Sequence, residues 1–185
     1  MKATKSNGRK KTLGAGKRLR LVSEDGWEFV ERVGSSGVVS IVAVTDAGEL
    51  VLTEQVRRSV GGPVIDLPAG LVGDEKGARD ESFLAAARRE LLEETGFAAR
   101  RFVLLGESPT SPGLTSETVV FVRALGLKKV AGGGGIDNEK ITVHCVELAR
   151  AAGWLRRRAK AGAQVDVKTY AGLYFVGTAA RRKTE

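Results

Sequence analysis

The 185-residue sequence predicts an α/β protein of one domain, and three observations carry that reading. β-Branched runs typical of buried strands occupy residues 38–44 and 50–56. A stretch rich in Ala, Leu, Glu and Arg at 81–95 has the composition of a helix. Strands come first, a helix is set between strands, and helical stretches close the chain; this mixed order implies an α/β sandwich. The length suits one full hydrophobic core and leaves little room for two.

The elements follow in order. Trp27 and Phe29 alternate within a strand-like segment at 26–33 that ends at the turn Gly34-Ser35-Ser36-Gly37. The runs 38–44 and 50–56 flank Asp46-Ala47-Gly48 and read as a hairpin. Residues 63–68 form a short strand leading into glycine-rich Ala69-Gly70-Leu71-Val72-Gly73. The helix at 81–95 meets its natural C-cap at Gly96. Further strands are expected at 101–105, 118–125 and 141–146, and further helices at 148–161 and 167–181. No internal repeat is visible.

Hydrophobic residues at 42% and charged residues at 28% are ordinary for a globular protein, and no apolar run is long enough to cross a bilayer. Cys145 is the lone cysteine, which excludes an intrachain disulfide, and with His144 as the lone histidine a Cys/His zinc cluster cannot be built. No apolar signal-peptide core follows Lys2 and Lys5, so a reducing, cytoplasmic setting is expected. The net charge of +8 is concentrated at the start. Lys2, Lys5, Arg9, Lys10, Lys11, Lys17, Arg18 and Arg20 lie in the first 20 residues without an acid, and the charges beyond cancel. Residues 1–20 are therefore expected to form a poorly ordered basic arm, with the domain proper at 21–185. The arm could touch RNA or another anionic partner, but it does not identify a nucleic-acid enzyme.

The helix at 81–95 carries the chemistry. Glu90 and Glu94 fall on nearly the same face, flanked by Glu93. Like charges at that spacing repel unless a cation sits among them, and a dense set of hard oxygen donors suits Mg²⁺ or Mn²⁺. Three glutamates alone read more simply as a solvated acidic face; the surrounding pattern reverses that. Arg89-Glu90-Leu91-x-Glu93-Glu94-x-Gly96-Phe97, with Glu81 seven intervening residues upstream of Arg89, resembles the second half of the Nudix hydrolase signature. One departure is clear. The signature glycine should stand where this chain has Glu75, and the best candidate is Gly70, so the loop before the helix is about five residues longer than the signature requires.

The resemblance extends over roughly residues 26–178 and is closest to the ADP-ribose pyrophosphatase branch. It implies a Nudix-type α/β/α sandwich with a mixed sheet. It also implies Mg²⁺, with Mn²⁺ possible, as cofactor, and a nucleoside diphosphate sugar, ADP-ribose foremost, as substrate. Leu67-Pro68-Ala69-Gly70 matches the segment in which an alanine carbonyl joins the metal shell, making Ala69 a candidate ligand beside Glu90, Glu94 and, as a close third, Glu93. Arg89 takes the family's supporting role, orienting the acids. Ser111-Pro112-Gly113-Leu114-Thr115-Ser116-Glu117 resembles a post-signature motif whose trailing acid, Glu117, faces substrate.

Asn138-Glu139-Lys140-Ile141 resembles the end of a mobile loop bearing the catalytic glutamate. Gly132-Gly133-Gly134-Gly135 before it would give such a loop flexibility. Glu139 is the expected general base, with Asp137 as substitute if the register shifts; taken without the resemblance, Glu139 is an ordinary turn acid. Trp27 matches an aromatic that stacks on adenine, often across a dimer, although a strand tryptophan is as often core. That implies a homodimer. Arg57 matches an arginine on the diphosphate, with Arg58 beside it as alternative. His144 and Cys145 are adjacent in a strand, face opposite sides, and read as structural. The rival readings are another nucleoside diphosphate derivative as substrate, or a nucleic-acid-binding module using the basic arm.

Overall fold

A computed structural model of the chain describes residues 9–74, 80–136 and 139–181, with side chains in the last helix described through residue 178. Its first three strands, β1 (Lys11–Ala15), β2 (Leu19–Glu24) and β3 (Trp27–Arg32), form an antiparallel sheet. The expectation of a poorly ordered arm through residue 20 therefore needs correction. Lys11–Ala15 pairs with β2, and Lys10 and Arg20 hold Glu31 at 2.5 and 2.7 Å. The sequence signal failed because these strands carry charge rather than an apolar run, and β1 is exposed along its whole length.

Two mixed four-stranded sheets build the body. The first contains β4 (Gly37–Ala43), β7 (Ala69–Val72), β8 (Phe97–Pro109) and β9 (Thr118–Lys129) in the order β7-β4-β9-β8, with β4 and β9 parallel. The second contains β5 (Glu49–Arg57), β6 (Gly62–Asp66), β10 (Thr142–Glu147) and β11 (Gln164–Val165) in the order β10-β5-β6-β11. The expected hairpin of residues 38–44 with 50–56 is not formed. β4 and β5 belong to different sheets and share only a bridge between Val44 and Leu50 at the turn. Both runs are apolar on both faces, so each can be a central strand, and local sequence does not choose the partner.

Alternation along the strands sorts the core into two layers. Val39, Ile41 and Ala43 of β4, with Val120, Val122 and Ala124 of β9, pack against Ala86, Ala87 and Leu91 of α1 (Phe83–Thr95). Val38, Val42, Val119 and Phe121 face the opposite side, in one cluster with Val176 of α3 (Val167–Arg181), a helix that packs on β4, and with Ala151 and Leu155 of α2 (Leu148–Lys160), which packs on β5, β10 and β11. The result is the expected α/β/α arrangement with mixed sheets. α1 begins at Ser82, whose hydroxyl caps the Ala85 N–H at 3.2 Å, and ends at Gly96 in the left-handed region at φ 67°. Leu91 is fully buried, so its truncation to alanine would cost about 2–5 kcal/mol. This is the packing that fixes the helix face bearing Glu90 and Glu94.

Among the described residues no helix is long and apolar enough to cross a membrane. Residues 75–79, which include the position of the expected signature glycine, lie outside the described residues.

Candidate active site

The C-terminal half of α1 lies against β7, and the backbone of that strand receives its acids. The Ala69 N–H donates to Glu94 Oε2 at 3.0 Å. Gly70 has no side chain where Glu90 sits: a Cβ there would stand 1.9 Å from the Glu90 carboxyl carbon, so only glycine leaves the space. Burial pushes Glu94 up to about 8, with the neighbouring charges of Glu90, Glu139 and Asp66 adding to the rise against the Ala69 hydrogen bond. Burial likewise raises Glu90 to about 7, although Arg89 opposes it.

Arg89 is the hub behind these acids. Its guanidinium meets Glu81 at 3.1 Å, Glu90 at 2.7 Å and Glu93 at 3.3 Å, and donates to the Leu71 carbonyl at 3.0 Å. Glu81 also accepts the Gly73 N–H, which ties the start of the helix to the end of β7. Arg89, expected to orient the acids, is placed in contact with three of them.

A cavity of about 600 Å³ opens over the acids. Its walls bring together most of the residues singled out in the sequence: Ala69, Glu90, Glu94, Glu139, Arg57 and Glu117. Glu117 is held by Arg32 at 2.6 Å, and Arg32 also lines the space. Glu93 does not line it and lies on the Arg89 side. Trp27 is also outside: it is 73% exposed, beside Pro112 and Gly113 in a separate shallow depression. Asp137 falls outside the described residues. His144 packs on Trp154 and meets Glu54 at 2.8 Å, whereas Cys145 is exposed, in keeping with their opposite facing.

Sequence reasoning missed a group on the far wall. Asp66, at the end of β6, is buried and binds Lys168 at 2.9 Å; Lys168 in turn meets Asp166 at 2.7 Å. Burial raises Asp66 to about 6 even though Lys168 opposes the shift. The available signal was an acid inside the apolar run Val64-Ile65-Asp66-Leu67, since an aspartate is almost never buried without a partner. Lys168 gave no local signal, because its partner is about a hundred positions away.

The glycine-rich stretch before Glu139 does something other than simply loosen the chain. The N–H groups of Gly134 and Gly135 donate to the carbonyls of Glu94 and Glu93 at 2.8 and 3.1 Å. The stretch is thus laid on the end of α1.

The cavity lining combines hard oxygen donors, Glu90, Glu94 and Glu139 among them, with the cations Arg32, Arg57 and Lys168, a mixture suited to a polyanionic ligand and a divalent ion. A Mg²⁺ ion is ordinarily held by one or two carboxylates, with water and substrate phosphates completing its shell. Glu94, buried, and Glu90, half-buried beside the Gly70 gap, fit that demand. Among the described residues no three acidic, histidine or cysteine side chains form a complete cage by themselves.

Comparison with known proteins identifies the family. The model of the NUDIX domain family matches residues 35–165. The chain is 35% identical over 147 residues to an ADP-ribose pyrophosphatase of Mycobacterium tuberculosis, covering 79% of this chain and 67% of that protein. It is 37% identical over 89 residues to an ADP-ribose pyrophosphatase of Bacillus subtilis, covering 48% and 45%. It is 34% identical over 118 residues to a methanol dehydrogenase activator of Bacillus methanolicus, covering 64% and 60%. The chain therefore spans about half to two thirds of the length of these curated relatives. A crystal structure of an ADP compounds hydrolase shares the fold, with a TM-score of 0.63 at 23% identity and 80% of each chain covered. The chain belongs to the Nudix family.

Proposed function

We propose that this protein is a metal-dependent Nudix hydrolase that cleaves the pyrophosphate of a nucleoside diphosphate sugar, ADP-ribose foremost, giving AMP and ribose 5-phosphate. The observation that carries the reading is the pair of buried Glu94 and half-buried Glu90, set against Ala69 and Gly70 in a cavity that also holds Arg57 and Glu139.

Glu90 and Glu94 would hold the ion, with the Ala69 carbonyl as the third protein donor expected from the family. Glu93 serves as a reserve ligand braced by Arg89. A bound divalent ion, Mg²⁺ or Mn²⁺, neutralises phosphate charge and makes a water more acidic. Glu139 accepts the proton of the attacking water as its oxygen bonds to phosphorus and the bridging P–O bond breaks. Arg57 binds the diphosphate; its guanidinium has no hydrogen bond or ion pair among the described residues, and it stands at the exposed end of β5. Arg32 fixes Glu117 for contact with the sugar portion. Arg89 holds Glu90 and Glu93 in place.

Because Trp27 does not line its own chain's cavity, stacking of its ring on adenine would come from a second copy, and a homodimer is part of the proposal. Sedimentation that gives monomer alone at micromolar concentration, with full activity, removes that part. A cytoplasmic setting fits the lone exposed Cys145. The central test is a substrate panel with Mg²⁺. ADP-ribose should be consumed with AMP and ribose 5-phosphate appearing in equal amounts, faster than other nucleoside diphosphate sugars, dinucleotides and oxidised nucleotides. No turnover of ADP-ribose, or a rate about tenfold higher on another substrate, overturns the assignment of substrate.

A further inference from the structure

An α-helix leaves its last four carbonyls without partners inside the helix. At the end of α1 the Leu92 carbonyl accepts from the Gly96 N–H, and the carbonyls that follow are taken up from the end of β9 and the segment after it. The N–H groups of Val130 and Ala131 donate to the Gly96 carbonyl at 2.9 and 3.1 Å, Gly134 donates to Glu94 at 2.8 Å, and Gly135 donates to Glu93 at 3.1 Å. The Lys129 ammonium adds a bond to the Thr95 carbonyl at 2.5 Å and another to Gly132 at 3.0 Å. Four successive residues of the metal-helix terminus are thereby held by one short segment.

The approach is close enough to demand glycine at chosen positions. Gly133 has φ 75°, and a Cβ there would lie 2.5 Å from the Thr95 carbonyl carbon and 2.7 Å from the Gly96 nitrogen. Both are backbone atoms of the helix end, which cannot swing aside. Gly135, at φ 84°, leaves room for Glu139, whose Cβ and Oε2 would each be 2.7 Å from an added Cβ. The Ile136 N–H then reaches Glu139 Oε2 at 3.4 Å, and Ile141 N–H donates back to the Gly134 carbonyl at 3.1 Å. Gly132, by contrast, has open space around it.

We propose that residues 130–136 are a backbone cap on α1 that fixes Glu139 relative to Glu94, with Gly133 as its positioning residue. The cap couples the two sides of the cavity through one helix end, so the position of Glu139 depends on main-chain contacts rather than on a free loop. The catalytic part of this inference rests on the reading of Glu139 as general base; the cap itself does not.

Two measurements separate them. Amide hydrogen exchange by NMR in the metal-free parent should show Gly134 and Gly135 protected at least about a hundredfold, as paired amides are. Exchange at the rate of an unstructured peptide overturns the cap whatever the enzyme does. Gly133→Ala should lose that protection and lower kcat by about ten- to a hundredfold, the scale of a displacement near one ångström, with KM within about twofold. Gly132→Ala should match the parent in both. Placed in a Glu139→Gln background, Gly133→Ala should add less than about a twofold further loss, since the group it positions is already gone. Losses that multiply instead mark Gly133 as a general structural residue and overturn the positioning role. Should Gly133→Ala fail to fold, Gly134→Ala serves in its place, being strained at φ 110° with its nearest neighbour at 3.8 Å. If Glu139→Gln alone keeps the parent rate, the base assignment falls and with it the positioning role, while the exchange result still decides the cap.

Discussion

Two buried glutamates in this molecule meet opposite treatment. Glu31, in the N-terminal sheet, is only 8% exposed, and the hydrogen bond from Lys10 together with Arg20 holds its carboxyl below the usual range against the opposing effect of burial. Glu94 is 5% exposed, and the only described hydrogen bond to its carboxylate is from a neutral amide; burial and the nearby acids push it up to about 8. Burying a carboxylate is unfavourable unless it is paired, and the fold supplies the partners for Glu31 from its own sequence. At the Glu94 carboxylate the described residues supply one backbone amide and no cation. That contrast separates an acid that helps hold a sheet together from one suited to a ligand.

The contrast can be broken most directly at Glu94. Glu94→Gln is expected to lower activity by at least about a hundredfold at saturating Mg²⁺, since a charged ligand at a phosphoryl site is lost, while circular dichroism stays that of the parent. Activity within about twofold of the parent sinks the metal assignment.

Arg89 comes next, because it compensates Glu90 on the side away from the cavity. Arg89→Met leaves Glu81, Glu90 and Glu93 without that partner and should cost roughly 3 kcal/mol in urea unfolding, the lower end for breaking a mostly buried pair. A change under about 1 kcal/mol would show that the cluster is solvated after all.

The pH dependence of stability sharpens the comparison by sign. The folded-state value of Glu94 lies above the ordinary 4.5, so its contribution is fully present below about 4.5 and is lost as pH rises through about 8. The metal-free protein should therefore lose part of its stability across that window, and Mg²⁺ should restore it most at the upper end, where the carboxylate is ionised. Thermal melts with and without Mg²⁺ that are parallel from pH 5 to 8 contradict this.

The smallest effect belongs to Glu31. Its folded-state value is lowered, so its contribution is present above about 4.5 and is lost as pH falls through the lowered value. With Lys10 and Arg20 both well exposed, Glu31→Gln should cost at most about 1 kcal/mol at pH 7 and less at pH 3. Equal losses at both pH values would mean that packing, not charge, is what Glu31 supplies.

How much of this was legible in advance depended on distance along the chain. α1, its Gly96 cap and the spacing of Glu81, Arg89, Glu90, Glu93 and Glu94 were readable because a helix brings together residues three or four positions apart. The strands of residues 101–105 and 118–125 were found but are longer, Phe97–Pro109 and Thr118–Lys129, because pairing with each other carries both past their apolar centres. The partners of β4 and β5 were misread, since two runs apolar on both faces fit a hairpin and a pair of central strands equally well. Asp66 with Lys168, and Arg32 with Glu117, could not be paired from spacing.

The sequence by itself determined the α1 motif, the alternation that buries both faces of β4 and β9, and the identity of the acids and cations available to a site. Tertiary structure alone decided that Glu94 rests on the Ala69 amide, that Gly70 makes way for Glu90, that Trp27 stands apart from the cavity, and that the glycines at 133–135 seat on the end of a helix. The physical reason is the range of the forces involved. Helix and strand periodicity are set by neighbouring dihedrals, whereas burial of a charge and the closeness of two backbones exist only once distant segments have packed.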